Sequence, residues 1–141
     1  IKAAMDAYDA LSGGQQRMVE KAYPYKYQNL RSMLIDSVTS LKLVKNHSTA
    51  GKSNGKSWIR IEWSTVGDDA AVDGYEIYKS TKPNSGYKHS FTTKNPANKW
   101  YKNTAGLKKG TRYYYKVRAF VEIDGQKYYS DWSNKAYRIA K

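Results

Sequence analysis

Between Trp58 and Trp63 the chain changes side at every residue, with Ile59, Ile61 and Trp63 alternating with Trp58, Arg60 and Glu62. A period of two is the mark of an extended strand with one face against a core, and no helix keeps such residues on one side. The pattern returns in Tyr75 and Ile77 after the Asp73-Gly74 turn. It returns again in Tyr113, Tyr115, Val117 and Ala119, offset from Tyr114, Lys116, Arg118 and Phe120. Asp124-Gly125 joins Val121-Glu122-Ile123 to Gln126-Lys127-Tyr128, and such a pair signals a two-residue hairpin because both central positions take positive φ. Leu41 and Leu43 open the series, which starts near Val38, and Ala136 to Ile139 closes it. The chain therefore reads as mostly β, with about seven short strands forming a sandwich over residues 37–141.

Upstream the period is helical. Ile1, Ala4, Met5, Tyr8 and Leu11 recur at steps of three and four, which places them on one helix face. Ser12 with Gln15 three positions on fits a capping box that opens a second helix carrying Met18, Val19, Ala22 and Tyr23. Pro24 ends that helix or begins the next element, and Tyr27, Leu30 and Leu34, with Met33 as an optional fourth, predict a third reaching about Asp36. Residues 1–36 thus form a segment of three short helices with little core of its own. It is expected to lean on the sandwich or on a helix upstream. The chain begins Ile1-Lys2-Ala3 rather than with Met, which suggests a piece of something longer.

Trp63 in its alternating strand, followed by Gly74-Tyr75-Glu76-Ile77-Tyr78-Lys79-Ser80, resembles the second and third strands of fibronectin type III domains from bacterial surface proteins. The run from Leu107 through Gly110-Thr111-Arg112-Tyr113 to Ala119 is similar to the same family, and Ser130-Asp131-Trp132-Ser133 resembles the start of its last strand. The resemblance implies a sandwich in which Leu107 and Tyr113 form the tyrosine corner, the phenol filling the edge while its hydroxyl satisfies nearby backbone. The segment Trp100 to Ala105 is a residue longer than the family's usual connection, so either Trp100 or Tyr101 could face the core. The loop from Asn46 to Ser57 is also long for a first hairpin. Ala7-Tyr8-Asp9-Ala10-Leu11-Ser12, with Gln16 and Val19, resembles small helical repeats that flank enzymes and adhesins on Gram-positive surfaces. Together these resemblances imply a non-catalytic spacer or presentation module of an extracellular or cell-surface bacterial protein, with neighbouring domains of a longer chain as partners.

Strings that mimic catalytic motifs lack their context. Leu11-Ser12-Gly13-Gly14-Gln15-Gln16 matches the signature of ATP-binding cassette ATPases, and Ala50-Gly51-Lys52-Ser53-Asn54-Gly55-Lys56-Ser57 fits a relaxed phosphate-loop pattern. A working phosphate loop needs a buried strand before it and a helix after it. Here the string follows polar Asn46-His47-Ser48-Thr49 and runs into a strand at Trp58. His47 and His89 are the only histidines and Cys is absent, so neither a zinc-type metal site nor a histidine triad is supported. Asp68, Asp69 and Asp73 cluster without the regular pattern of a calcium loop. Glu62 and Glu76 are expected to point outward from separate strands, which gives no acid–base pair. The sequence therefore predicts no enzyme, no cofactor and no metal.

What remains is charge and surface. The 25 Lys and Arg against 12 Asp and Glu give +13 overall. Up to Asp36 there are five basic and four acidic residues, which leaves 20 and 8 for the sandwich, a net +12. Such a surface attracts polyanions at long range. On alternation, Tyr78, Tyr114, Lys116, Arg118 and Phe120 point away from the core and form the candidate ligand-binding face. Aromatics beside cations stack on sugar rings or hold acidic polymers, so glycans and anionic wall polymers are the candidate partners in that reading. Nucleic acid has only the charge in its favour. The competing expectation is that Trp132 lies beside Arg118 in a cation–π ladder, as the related Trp-Ser motif of cytokine receptor domains does, or that the helices cover this face.

Overall fold

A computed structural model describes residues 2–22, 26–66 and 72–141. Three helices come first, α1 Lys2–Asp9, α2 Gly13–Ala22 and α3 Lys26–Thr39. Among the described residues eight strands follow: β1 Lys42–Ser53, β2 Lys56–Val66, β3 Gly74–Ser80, β4 Lys88–Thr93, β5 Trp100–Asn103, β6 Arg112–Ile123, β7 Gln126–Tyr129 and β8 Ala136–Ile139. One antiparallel sheet has the order β1-β2-β5, and the other β4-β3-β6-β7 with β8 also paired to β6. Two antiparallel sheets closed over one core make a fibronectin type III-like sandwich. The count is eight where seven were expected, because the final strand is split into β7 and β8 on the same edge of β6.

The alternation of the sequence becomes the core. Ile59, Ile61 and Trp63 of β2 face Tyr75 and Ile77 of β3 and Tyr113, Tyr115, Val117 and Ala119 of β6, all buried. The Trp63 and Tyr75 rings meet at 5.3 Å, tilted by 60°. The tyrosine corner closes one edge. Tyr113 Oη accepts a hydrogen bond from the Lys108 N–H at 2.7 Å and donates towards the Gly106 carbonyl at 3.5 Å, while Leu107 packs on the core. Of the two candidates in β5, Tyr101 packs on the core and stacks on Phe91 at 4.4 Å, leaving Trp100 45% exposed.

Three expectations are corrected. The stretch from Asn46 to Ser57 is not a loop: β1 and β2 pair in register from Asn46↔Trp63 to Ser53↔Lys56, turning at Asn54-Gly55 with φ of 50° and 75°. Both central residues are left-handed, which is the two-residue hairpin that Asn-Gly favours. The stretch's two buried positions, Asn46 and Ser48, are polar and donate to other strands, which hides the alternation. Asn46 Nδ2 donates to the Tyr115 carbonyl at 2.8 Å, and Ser48 Oγ to the Tyr137 carbonyl at 3.2 Å.

Second, the division expected between residues 36 and 37 falls inside α3. Val38 follows Leu34 by one helical turn, and both are fully buried beside Leu41, Leu43, Val72 and Met5, so helix and sandwich share one core. Third, the apolar positions of the helices are not all inward: Met5 is buried, but Met18 is 73% exposed and Met33 is exposed too. The capping box forms, with the Ser12 N–H donating to Gln15 Oε1 at 2.9 Å and the Gln15 N–H to Ser12 Oγ at 3.2 Å. Ile1, Tyr23, Pro24, Asp68 and Asp69 lie outside the described residues, as do the side chains of Ala4, Ala22 and Tyr27. Among the described residues no helix is long and apolar enough to cross a membrane.

Candidate functional site

The outer face of β3, β6 and β7 is organised by what β6 lacks. Residues 116–119 pair with β3 on one edge, but on the other, between the pairings with β8 and β7, they have no regular strand beside them. Two serines replace it. The Ala119 N–H donates to Ser130 Oγ at 2.8 Å and the Val117 N–H to Ser133 Oγ at 2.9 Å, while the Ser130 and Ser133 N–H groups donate to the Ala119 and Val117 carbonyls. A side-chain oxygen that accepts in place of a carbonyl lets the chain bulge without leaving buried N–H groups unpaired. The bulge carries Trp132 over the face.

A ladder of alternating rings and cations results. Lys116 Nζ sits 4.4 Å from the Tyr87 ring centroid and 4.1 Å from that of Trp132. The Arg118 guanidinium lies 4.5 Å from Trp132, 3.5 Å from Tyr129 and 5.3 Å from Tyr78. Tyr78 meets Trp132 edge to face at 5.1 Å and His89 at 5.7 Å. Beneath the rungs Glu76 ties them together. Its Oε1 accepts from Arg118 Nε at 3.0 Å and Nη2 at 2.8 Å, and its Oε2 from Lys127 Nζ at 3.1 Å.

Glu76 does occupy an outward position of β3, as expected, but it is only 4% exposed because Arg118 and Lys127 close over it. Burial pushes its carboxyl up, but the hydrogen bonds from Lys127 and Arg118, with their charges, outweigh that and hold it below the usual carboxylate range. The bond to Glu76 raises Lys127, whereas burial lowers Lys116, helped by Lys135 and Arg118 nearby. Burial also raises the Tyr87 phenol, with Tyr114 adding to it.

Of the five residues expected on an open face, Tyr78, Lys116 and Arg118 are rungs of this ladder. Phe120 is a correction: it is 3% exposed, its ring lying 4.6 Å beneath Lys127 Nζ. Long cationic side chains cover apolar surface with their stems, so an outward strand position need not be a wet one. Tyr114 stands apart, tilted against Tyr137 of β8 at 5.5 Å. Among the described residues no helix covers the ladder. Arg31 of α3 reaches Tyr128 Oη at 3.3 Å and Asp124 at 3.7 Å, and Tyr128 packs on the core side of the sheet. Ser130, Ser133, Tyr87, Tyr129 and Lys127 were not read from the sequence as parts of this face. The serines stood in the quoted motif, and Lys127 and Tyr129 alternate outward after the Asp124-Gly125 turn.

The opposite sheet has a looser counterpart. The Arg60 guanidinium lies 4.5 Å from the Trp100 ring and its Nε donates to Glu62 Oε1 at 2.6 Å, while Lys102 Nζ lies 4.5 Å from Trp58. Trp58 lies flat across Gly51, where a Cβ would fall 2.2 Å from its ring. Among the described residues no group of three His, Cys, Asp or Glu side chains is placed to hold a metal ion.

No family model and no curated protein matches the chain. Solved structures do. An Fn3-like protein from Clostridium thermocellum is 21% identical, with 70% of this chain and 92% of that one covered and a TM-score of 0.48. The fibronectin type III domain of human fibronectin type III domain containing protein 3 is 18% identical over 73% of this chain and 85% of that one, at 0.47. Pectate lyase Pel3 from Pectobacterium carotovorum is 18% identical over 66% of this chain but only 26% of its own length, at 0.46. The sandwich itself is identified by its strand order and its tyrosine corner, independently of these likenesses.

Proposed function

We propose that the chain is a non-catalytic spacer or presentation module of an extracellular or cell-surface bacterial multidomain protein, with neighbouring domains as its partners. The observation that carries this reading is the closed ladder. The cations best placed to grip an acidic ligand are held by rings and by Glu76, and the rings best placed to stack on sugar are occupied by those cations. A ligand would have to replace contacts already made, so the face gives stiffness to the sandwich edge rather than recognition. The extracellular and bacterial setting rests on the resemblance alone.

The test is titration with wall glycopolymer and heparin-like glycan at physiological salt, using the wild type and the Tyr114→Ala and Arg118→Lys variants. Arg118→Lys keeps the charge but loses the two-pronged grip on Glu76. Folded variants with unchanged polymer affinity are expected. Binding to one polymer that both variants abolish, with the fold intact by circular dichroism, would promote the alternative, a glycan or wall-polymer binding module working through this face.

A further inference from the structure

The string that mimics a phosphate loop is the tip of the β1–β2 hairpin, and its lysines gather elsewhere than on the ladder. Lys52 and Lys56, with Ser57, line an open cleft of about 360 Å³ together with Thr104, Lys109 and Lys141. Three separate parts of the chain are tied together here. The Gly110 N–H donates to the Ala140 carbonyl at 2.8 Å, the Ala140 N–H to the Thr111 carbonyl at 3.0 Å, and Ser57 Oγ donates to the Lys141 backbone oxygen.

The charge here is unbalanced, unlike that of the ladder. Among the described residues no carboxylate side chain lines the cleft and none of its four lysines is in an ion pair. Ammonium groups that face one space repel each other, and an anion among them relieves that repulsion. The donors are lysines rather than arginines, so they act as point charges without a planar fork. Among the described residues no aromatic ring lines the cleft, so neither a base nor a sugar ring has a surface there to stack on. The volume is at the lower end for small-ligand sites, enough for one or two oxyanion groups with the remainder of a chain leaving through the open mouth.

From this geometry we infer that the cleft binds a multiply charged tetrahedral oxyanion carried on a polymer, a phosphate or sulfate ester in chemistry. The ladder takes no part in it.

The experiment compares two double variants of equal net charge by titration with sodium polyphosphate at about 0.15 M salt, where diffuse attraction is screened over about 8 Å. Lys56→Ala with Lys109→Ala removes two cleft lysines. Lys42→Ala with Lys45→Ala removes two exposed ones at the far end of β1, about 30 Å away at the usual rise of a strand. The cleft variant is expected to bind about tenfold more weakly and the control within about twofold of wild type. A second arm uses heparin-like glycan, and binding of either polymer with the same variant pattern supports the site and tells which ester it takes. Equal weakening in the two variants, loss of all wild-type binding at this salt, or duplex DNA bound more tightly than both polymers would overturn it.

Discussion

The two outer faces of the sandwich are built from the same ingredients, each with a carboxylate on a central strand, and differ in how far that carboxylate is covered. On the β3–β6–β7 face Glu76 occupies a central strand, is almost fully covered, and accepts from both Arg118 and Lys127. On the β2–β5 face, among the described residues, Glu62 pairs with Arg60 alone, and the two side chains are 50% and 40% exposed. In the first case each ring and cation depends on its neighbours, because moving one strands a buried charge. In the second each contact is made in high dielectric and can be lost without consequence for the next. Similar residues thus give a structural device on one face and scattered surface contacts on the other.

The carboxylates should separate the faces most widely. Glu76→Gln leaves Arg118 and Lys127 without the carboxylate charge and with one accepting oxygen in place of two, and should cost about 3 kcal/mol in denaturant melts, the low end for a broken buried pair. Glu62→Gln should cost less than about 1 kcal/mol. Equal losses would erase the distinction. Removing the tryptophans should give a smaller gap in the same direction. Trp132→Ala loses contacts with two cations and the edge of Tyr78, about 2 kcal/mol, while Trp100→Ala loses one exposed contact, about 0.5–1 kcal/mol.

The smallest effect is in acid. Glu76 has a folded pKa below its unfolded one, so the stability it lends is fully present above the unfolded carboxylate range and disappears as pH falls through the folded value. Stability measured from neutral pH downwards should fall less steeply in Glu76→Gln than in wild type. Parallel acid limbs would mean that Glu76 is not the group being titrated.

Much of the fold was legible because period-two alternation of large apolar residues has one physical meaning. Ile59, Ile61, Trp63 and the Tyr113–Ala119 run fixed both the strands and their inner faces, and Leu107 with Tyr113 marked the corner. The hairpin tip was not legible, because its inward positions are Asn46 and Ser48, whose partners lie 69 and 89 residues away. Asn54-Gly55 was the available signal, masked by its place within a phosphate-loop lookalike. At the helix–sandwich junction Val38 suits a strand and a helix face equally, and only Leu34 one turn earlier decides it. On the ladder, alternation correctly turned Phe120 and Glu76 away from the core. It could not show that Lys127 and Arg118 would close over them, since covering depends on long side chains from adjacent strands.

The central claim is that Arg118 and Trp132 act as one unit and not as two adjacent surface residues. A double-mutant cycle on folding stability, with Arg118→Ala, Trp132→Ala and the pair, measures this directly. The account predicts a coupling of about 1 kcal/mol or more, with the Arg60 and Trp100 cycle on the other face giving clearly less. Additive losses for Arg118 and Trp132, with coupling below about 0.3 kcal/mol, would contradict the closed ladder and return the face to solvent and to ligands.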